Sequence, residues 1–147
     1  MTNTITVHAR DSHVYDGVAD GAVSPGELVS RTGQDGDIPT YGPHAAAGEF
    51  AEPYFAKEYS HTGMSIDDDY QDGDHMELRK GLTGDRYLAY LADGENVSTD
   101  DYLVSAGDGS LQAAAADGSD ESGIVAKPAE DLENASGSPI RIEVEVV

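Results

Sequence analysis

Short segments of β-forming residues alternate with Gly-Asp turns between residues 64 and 111. The turns are Asp72-Gly73-Asp74, Gly84-Asp85, Asp93-Gly94 and Gly107-Asp108-Gly109. Residues 75–78, 87–91 and 102–104 lie between them and supply large apolar side chains. Brief strands with Gly and Asp at the corners are typical of compact antiparallel folds. We therefore expect a mainly β protein, a small β-barrel or β-sandwich of short strands with Gly, Asp and Pro turns, and at most one or two short helices.

The end of the chain has the most regular strand pattern. Residues 139–147 alternate strictly, which places Ile140, Ile142, Val144 and Val146 on one face. We expect this strand to be paired inside the sheet, so that its removal would destabilise the protein. Shorter strands are expected at residues 4–7, where Thr alternates with apolar residues, and at residues 27–30, just after a Pro-Gly corner.

Three segments have weaker patterns. Residues 33–48 carry Gly, Pro, Asp and Ala without a period and predict a loop. Residues 49–61 hold the densest aromatic cluster and fit either a helical face, which Pro53 interrupts, or an extended strand. Residues 65–70 predict a capped helical turn with Ser65 as the N-cap.

The length of 147 residues predicts a single β domain, residues 1–147, that buries about 68–70% of its unfolded surface. Residues 1–16 are expected to include an N-terminal arm. Residues 113–123 consist of Ala, Asp, Gly and Ser with one Glu, and predict a flexible acidic loop. A short strand at 124–126 and a turn or brief helix at 129–134 are expected to follow.

Two parts of the chain resemble each other. Residues 19–30 and 92–105 both contain a turn, one valine expected to point inward, a second turn and a Leu-Val-Ser strand. We interpret them as related corners of one barrel, with both Leu-Val pairs in the core. Independent use of common turn residues is the alternative, which one pair of copies leaves open.

Acidic residues outnumber basic ones by 29 to 8, for a net charge of −21, and they are spread along the whole chain. Such a surface repels itself in dilute buffer, but at about 1 M salt the Debye length is about 3 Å and the repulsion is screened. The chain has only three lysines, and this scarcity favours a halophilic protein over an ordinary acidic mesophilic protein. The charge also disfavours binding to nucleic acids and anionic membranes. The sequence has no stretch typical of a membrane span or a signal segment, and no cysteine.

No pattern indicates catalysis or a bound cofactor. The acidic run at residues 67–74 fails the EF-hand register, because Asp72 stands where glycine is required and Leu78 where the last glutamate is required. A solvated acidic turn is the favoured interpretation. The five histidines lack a ligand spacing, and no Gly-x-Ser-x-Gly motif occurs. We predict no catalytic residue, no metal, no cofactor and no enzymatic activity.

Several segments together resemble the small head decoration, or structural cement, proteins of tailed viruses. These segments are Gly63-Met64-Ser65-Ile66-Asp67-Asp68-Asp69-Tyr70, Gly73-Asp74, residues 81–87 and 96–111, Ile124-Val125-Ala126, Glu130-Asp131-Leu132 and residues 140–144. The resemblance covers most of the chain from about Phe50 onward. It implies a β-barrel-like accessory protein on the outer surface of an icosahedral capsid, assembled in the host cytoplasm. With the acidic composition, the host would be a haloarchaeon.

The resemblance also implies a partner, the major capsid protein, and a homo-oligomer, with a trimer favoured. Apolar contact and backbone pairing would have to supply the attraction, since salt screens ion pairs. Two groups of contact residues are expected: Thr4, Ile5, Thr6 and Val7, as an added strand, and Phe50, Tyr54, Phe55 and Tyr59. Core packing of the aromatic group is the slightly favoured alternative. A receptor- or glycan-binding surface module of a halophilic virus or archaeon is the second hypothesis for function.

Overall fold

The computed structural model describes residues 4–9 and 13–147. It confirms a mainly β protein, and no α-helix occurs among the described residues. The strands are β1 (Thr6–His8), β2 (Val14–Ala19), β3 (Val29–Asp35), β4 (Ile38–Pro43), β5 (Tyr54–Lys57), β6 (His75–Lys80), β7 (Arg86–Leu91), β8 (Asn96–Val97), β9 (Leu103–Ser105), β10 (Leu111–Ala113), β11 (Ala126–Pro128), β12 (Leu132–Glu133) and β13 (Ile140–Val146). Two 3-10 turns lie at Ser60–Thr62 and Glu121–Gly123.

The second half of the chain closes into a five-stranded barrel. Its strands follow the order β7-β10-β9-β11-β13, and β13 pairs with β7 to complete the ring. β1 adds to β7 at the edge of this sheet. The predicted C-terminal strand is confirmed, because β13 pairs on both sides and buries Ile142, Val144 and Val146.

The first half repeats the same topology. Its strands follow the order β3-β4-β2-β6-β5, and an isolated bridge between Leu28 and Phe55 joins the two ends. β2 and β4 are parallel, as are β7 and β10, whereas the corresponding hairpins and outer pairs are antiparallel in both halves. Even the pair Lys57–Glu77 on β5 and β6 has a counterpart in Lys127–Glu145 on β11 and β13. We call residues 14–80 the first unit and residues 86–146 the second unit.

The two similar segments of the sequence lie in different units. Both Leu-Val pairs are buried, as predicted. The expectation of two corners of one barrel is wrong, because Val29 begins β3 of the first unit and Leu103 begins β9 of the second. The two segments therefore lie at the start of corresponding strands of the two units but one residue out of register, since Val29 rather than Leu28 matches Leu103.

Two apolar clusters form the core. One fills the second unit and also contains Leu28 and Phe55 of the first, with the Phe55 ring stacked on Tyr87 at a centroid distance of 5.3 Å. The other lies in the first unit around Val23, Met76 and Leu78. The units therefore pack through shared core residues.

Three local predictions differ from the structure, one wholly and two in part. Residues 33–48 are not a loop, since they include most of the β3–β4 hairpin, which turns at Gly36 with φ of 62°. Most side chains of β3 are polar and exposed, and the buried Val29 and Tyr41 are too far apart along the chain to give an alternating hydrophobic pattern. Ser65 accepts a hydrogen bond from the Asp67 N–H, but a turn rather than a helix follows. Residues 129–134 form no helix, and include β12, which pairs with β8.

Candidate functional site

The predicted acidic run, residues 67–74, holds neighbouring segments together. Asp69 accepts a hydrogen bond from the Ser24 hydroxyl (2.6 Å), and Asp72 accepts one from the Gly21 N–H (2.9 Å). Asp67 pairs with Arg141. Within residues 4–9 and 13–147, no group of three or more His, Asp or Glu side chains is placed to hold a metal ion. In the same part of the chain no helix is long and apolar enough to cross a membrane.

The N-terminal candidates lie against the second unit. Ile5 is 0% exposed, its N–H donates to Glu58 Oε2 (3.0 Å) and its carbonyl accepts from the Leu88 N–H. Thr6 and Val7 are half-buried, and Thr4 is exposed. Among the described residues β1 pairs only with β7, so its other edge is what this segment can offer to a partner, while the Ile5 side chain packs in the core.

The aromatic candidates do not form one patch. Phe55 is 0% exposed and belongs to the core, whereas Phe50 is 69% exposed. Tyr54 and Phe50 line one cavity, and Tyr59 lines another beside Met64 and His75. Phe50 and Tyr54 are thus the pair of candidates that the fold brings together at the surface.

The cavity beside Phe50 is a cleft between β3 and the segment that precedes β5. Its volume is about 280 Å³, and we call it the β3–β5 cleft. The lining residues are Val29, Ser30, Arg31, His44, Phe50, Ala51, Glu52 and Tyr54. Next to the bridge that joins Leu28 to Phe55 stands Pro53, which has no N–H to offer to β3. The two edges therefore separate at this point.

The β3–β5 cleft is lined by a carboxylate that has an ion-pair partner and by an arginine that has none among the described residues. Lys80 Nζ lies 3.2 Å from Glu52 Oε1 and 5.4 Å from the centre of the Tyr54 ring. Burial raises the pKa of the Tyr54 hydroxyl, the Glu52 carboxylate adds to this, and Lys80 opposes it. Arg31 is exposed and donates from Nε to the Gly33 carbonyl (3.4 Å), without an ion pair to any described residue. Arg31 was not among the candidates predicted from the sequence, although the scarcity of basic residues in this chain could have singled it out.

A third cavity, of about 220 Å³, lies between the two units. Its lining residues are Ser24, Glu27, Tyr90, Asp108, Ser110 and Pro139. Burial raises the pKa of the Glu27 carboxyl from 4.5 to about 7; the Ser24 N–H opposes this shift, and the Asp69 and Asp108 carboxylates add to it. We call this the interunit cavity. No pattern in the sequence marks Glu27, because its burial comes from loops of the other unit.

A buried ion pair lies close to the first unit's core. Lys57 Nζ is 2.8 Å from Glu77 Oε2 and also donates to the Glu58 carbonyl (3.0 Å). The Tyr70 hydroxyl donates to the Lys57 carbonyl and accepts from the Glu77 N–H. These contacts satisfy one another, so we interpret the pair as part of the framework rather than as a reactive centre.

Comparison with known proteins shows a fold. No family model matches the sequence, and no curated protein matches it either. Among solved structures, the chain is similar to the crystal structure of the head fiber gp8.5 N base in bacteriophage phi29. The TM-score is 0.62 at 15% identity, over 92% of this chain and 94% of that chain. At this identity the likeness establishes a shared architecture, that of the base of a phage head fiber.

Proposed function

We propose that this protein is a structural component of a tailed-virus virion that binds the outer surface of the head and stabilises capsomer junctions. The observation that carries the proposal is the similarity in fold to a phage head fiber base over nearly the full length of both chains. The sequence resemblance to head decoration proteins agrees with it. A non-enzymatic role fits the local, structural use of the buried charged groups.

Stabilisation of the shell follows from mass action. A protein that binds only the assembled shell stabilises it by RT ln(1 + [L]/Kd), about 2.7 kcal/mol per site at a hundredfold excess over Kd. Many equivalent sites add up over a capsid. The partner in this proposal is the major capsid protein, and the protein binds as a homo-oligomer, for which we favour a trimer.

We place the capsid contact at exposed and half-buried groups on the surface. Phe50 and Tyr54 offer aromatic surface at the β3–β5 cleft, and β1, with Thr4, Thr6 and Val7, offers a sheet edge. The net charge of −21 implies that the assembly works in concentrated salt, where self-repulsion is screened. The host in this proposal is a haloarchaeon.

Co-sedimentation with shells of its own virus tests the proposal. The protein, purified in about 2–3 M salt, where charges are screened, is mixed with capsids that lack it. We expect saturable binding at a fixed ratio to capsid protein and shells that better resist heat or low salt. Phe50→Asp should weaken binding, whereas Tyr102→Asp, at another exposed aromatic, should not. Absence of co-sedimentation, with retention of a soluble host glycan, would instead support a receptor-binding module.

A further inference from the structure

The second unit has a gap between β9 and the residues before β11, and residues 46–49 of the same chain fill it. We call this gap the second mouth. The Gly48 N–H donates to the Ser105 carbonyl (2.9 Å). A Cβ placed on Gly123 would lie 2.4 Å from the Gly48 carbonyl oxygen, and one on Gly107 would lie 3.2 Å from the Ala47 nitrogen. This segment therefore fits tightly, backbone against backbone.

Strand registers identify the same mouth in the first unit. In the second unit, Leu111 of β10 pairs in parallel with Leu91 of β7 and lies opposite Ser105 of β9. In the first unit, Tyr41 of β4 pairs in parallel with Ala19 of β2 and lies opposite Arg31 of β3. Arg31 thus holds the position of Ser105. The corresponding space is the β3–β5 cleft, which is an open cavity of about 280 Å³ instead of a filled one.

We propose that the β3–β5 cleft binds an extended acidic segment of a partner protein, in the manner in which the second unit holds residues 46–49. The segment adds to the free edge of β3 through backbone hydrogen bonds. Phe50 and Tyr54 cover its apolar side chains. Arg31 pairs with one of its carboxylates.

Charge complementarity identifies the segment as acidic. Glu52, the carboxylate that lines the cleft, is already paired with Lys80, so Arg31 is the lining charge that lacks an ion pair among the described residues. The segment that fills the second mouth contributes two alanines and a glycine, whereas its carboxylate, Glu49, is exposed. An acidic strand with small residues therefore matches both the charge and the close approach of the backbone.

This inference names the capsid contact and rests on the proposed function only for the identity of the partner. Two synthetic peptides, of alternating valine and glutamate or alternating valine and lysine around a central glycine, test it without a capsid. Each is titrated into ¹⁵N-labelled full-length protein and followed by NMR. The titrations are made in about 2 M salt, which screens the net charge of −21 that would otherwise attract the basic peptide. We expect the acidic peptide to shift resonances of residues 29–31 and 50–54, and to bind about threefold more tightly than the basic one, as fits one exposed ion pair.

Two variants make the test decisive. Phe50→Ala should weaken binding of the acidic peptide about fivefold to tenfold, whereas Tyr102→Ala, the matched control, should leave it unchanged. Arg31→Glu should reverse the preference between the two peptides. Binding of neither peptide at millimolar concentration, or shifts confined to other surfaces, would overturn the inference. If the peptides bind at this cleft but the protein does not bind capsids, the cleft is a peptide-binding site and the proposed virion function is contradicted.

Discussion

Replacement of Glu27 by glutamine should stabilise the protein at alkaline pH and leave it unchanged in acid. Glu27 lines the interunit cavity, where burial, together with the Asp69 and Asp108 carboxylates and against the Ser24 N–H, holds its pKa near 7 instead of 4.5. Because the pKa in the folded protein is above that in the unfolded chain, the protonated form is favoured by folding. The resulting stability is complete below about pH 4.5 and is lost as the pH rises through 7. A glutamine side chain cannot ionise, and its Oε1 can accept the Ser24 N–H as Glu27 does.

The size of the effect follows from the shift. A change from 4.5 to about 7 corresponds to about 3 kcal/mol in the free energy of unfolding. Glu27 is only half-buried, and concentrated salt screens the two aspartates, so we reduce this to about 1–2 kcal/mol. The Glu27→Gln variant should therefore exceed the wild type by about 1–2 kcal/mol at about pH 8.5 and match it at about pH 4.

Urea denaturation in about 2 M salt at these two pH values measures the difference, with salt chosen to screen the net charge. Glu130→Gln, at an exposed position, is the control, and its effect should be the same at both pH values. An effect of Glu27→Gln that does not change with pH, or that is larger in acid, would refute the reasoning.

Two further predictions concern the framework. Lys57→Met leaves Glu77 buried without its partner and should lower the free energy of unfolding by about 3–5 kcal/mol. In thermal melts the double variant Lys57→Met with Glu77→Leu should recover most of this loss, and a single variant as stable as the wild type would contradict the prediction. Gly123→Ala should cost about 1–3 kcal/mol, since its Cβ would meet Gly48, whereas Gly33→Ala, whose Cβ would lie 3.5 Å from Thr40 Oγ1, should be close to neutral in the same denaturation assay. Equal effects at the two glycines would show that the second mouth is not tightly filled.

Some features of this protein were readable from local residues. Residues 140–146 alternate with period two, and an alternating strand buries one face whatever its neighbours are, so β13 was predicted with its inward side chains. Gly-Asp corners likewise predicted short strands, because few residues other than glycine adopt the positive φ seen at Gly73, Gly84 and Gly94. The β class therefore followed from the sequence.

The candidate site was only partly predictable. Phe50 and Phe55 belong to one aromatic cluster in the sequence, yet Phe50 is exposed and Phe55 stacks on Tyr87 of the other unit. The β3–β4 hairpin buries Val29 and Tyr41 but is otherwise largely polar, so it carried no hydrophobic period to detect.

Sequence alone determined what depends on neighbours along the chain: the turns, the alternating strands, the buried Leu-Val pairs and the acidic surface. Tertiary structure decided what depends on residues far apart in sequence. The duplication of the fold, the open β3–β5 cleft and the raised pKa of Glu27 all arise where segments of distant sequence meet. Burial and strand pairing are set by those meetings, because desolvation and backbone hydrogen bonds depend on which surfaces are brought into contact and not on local residue type.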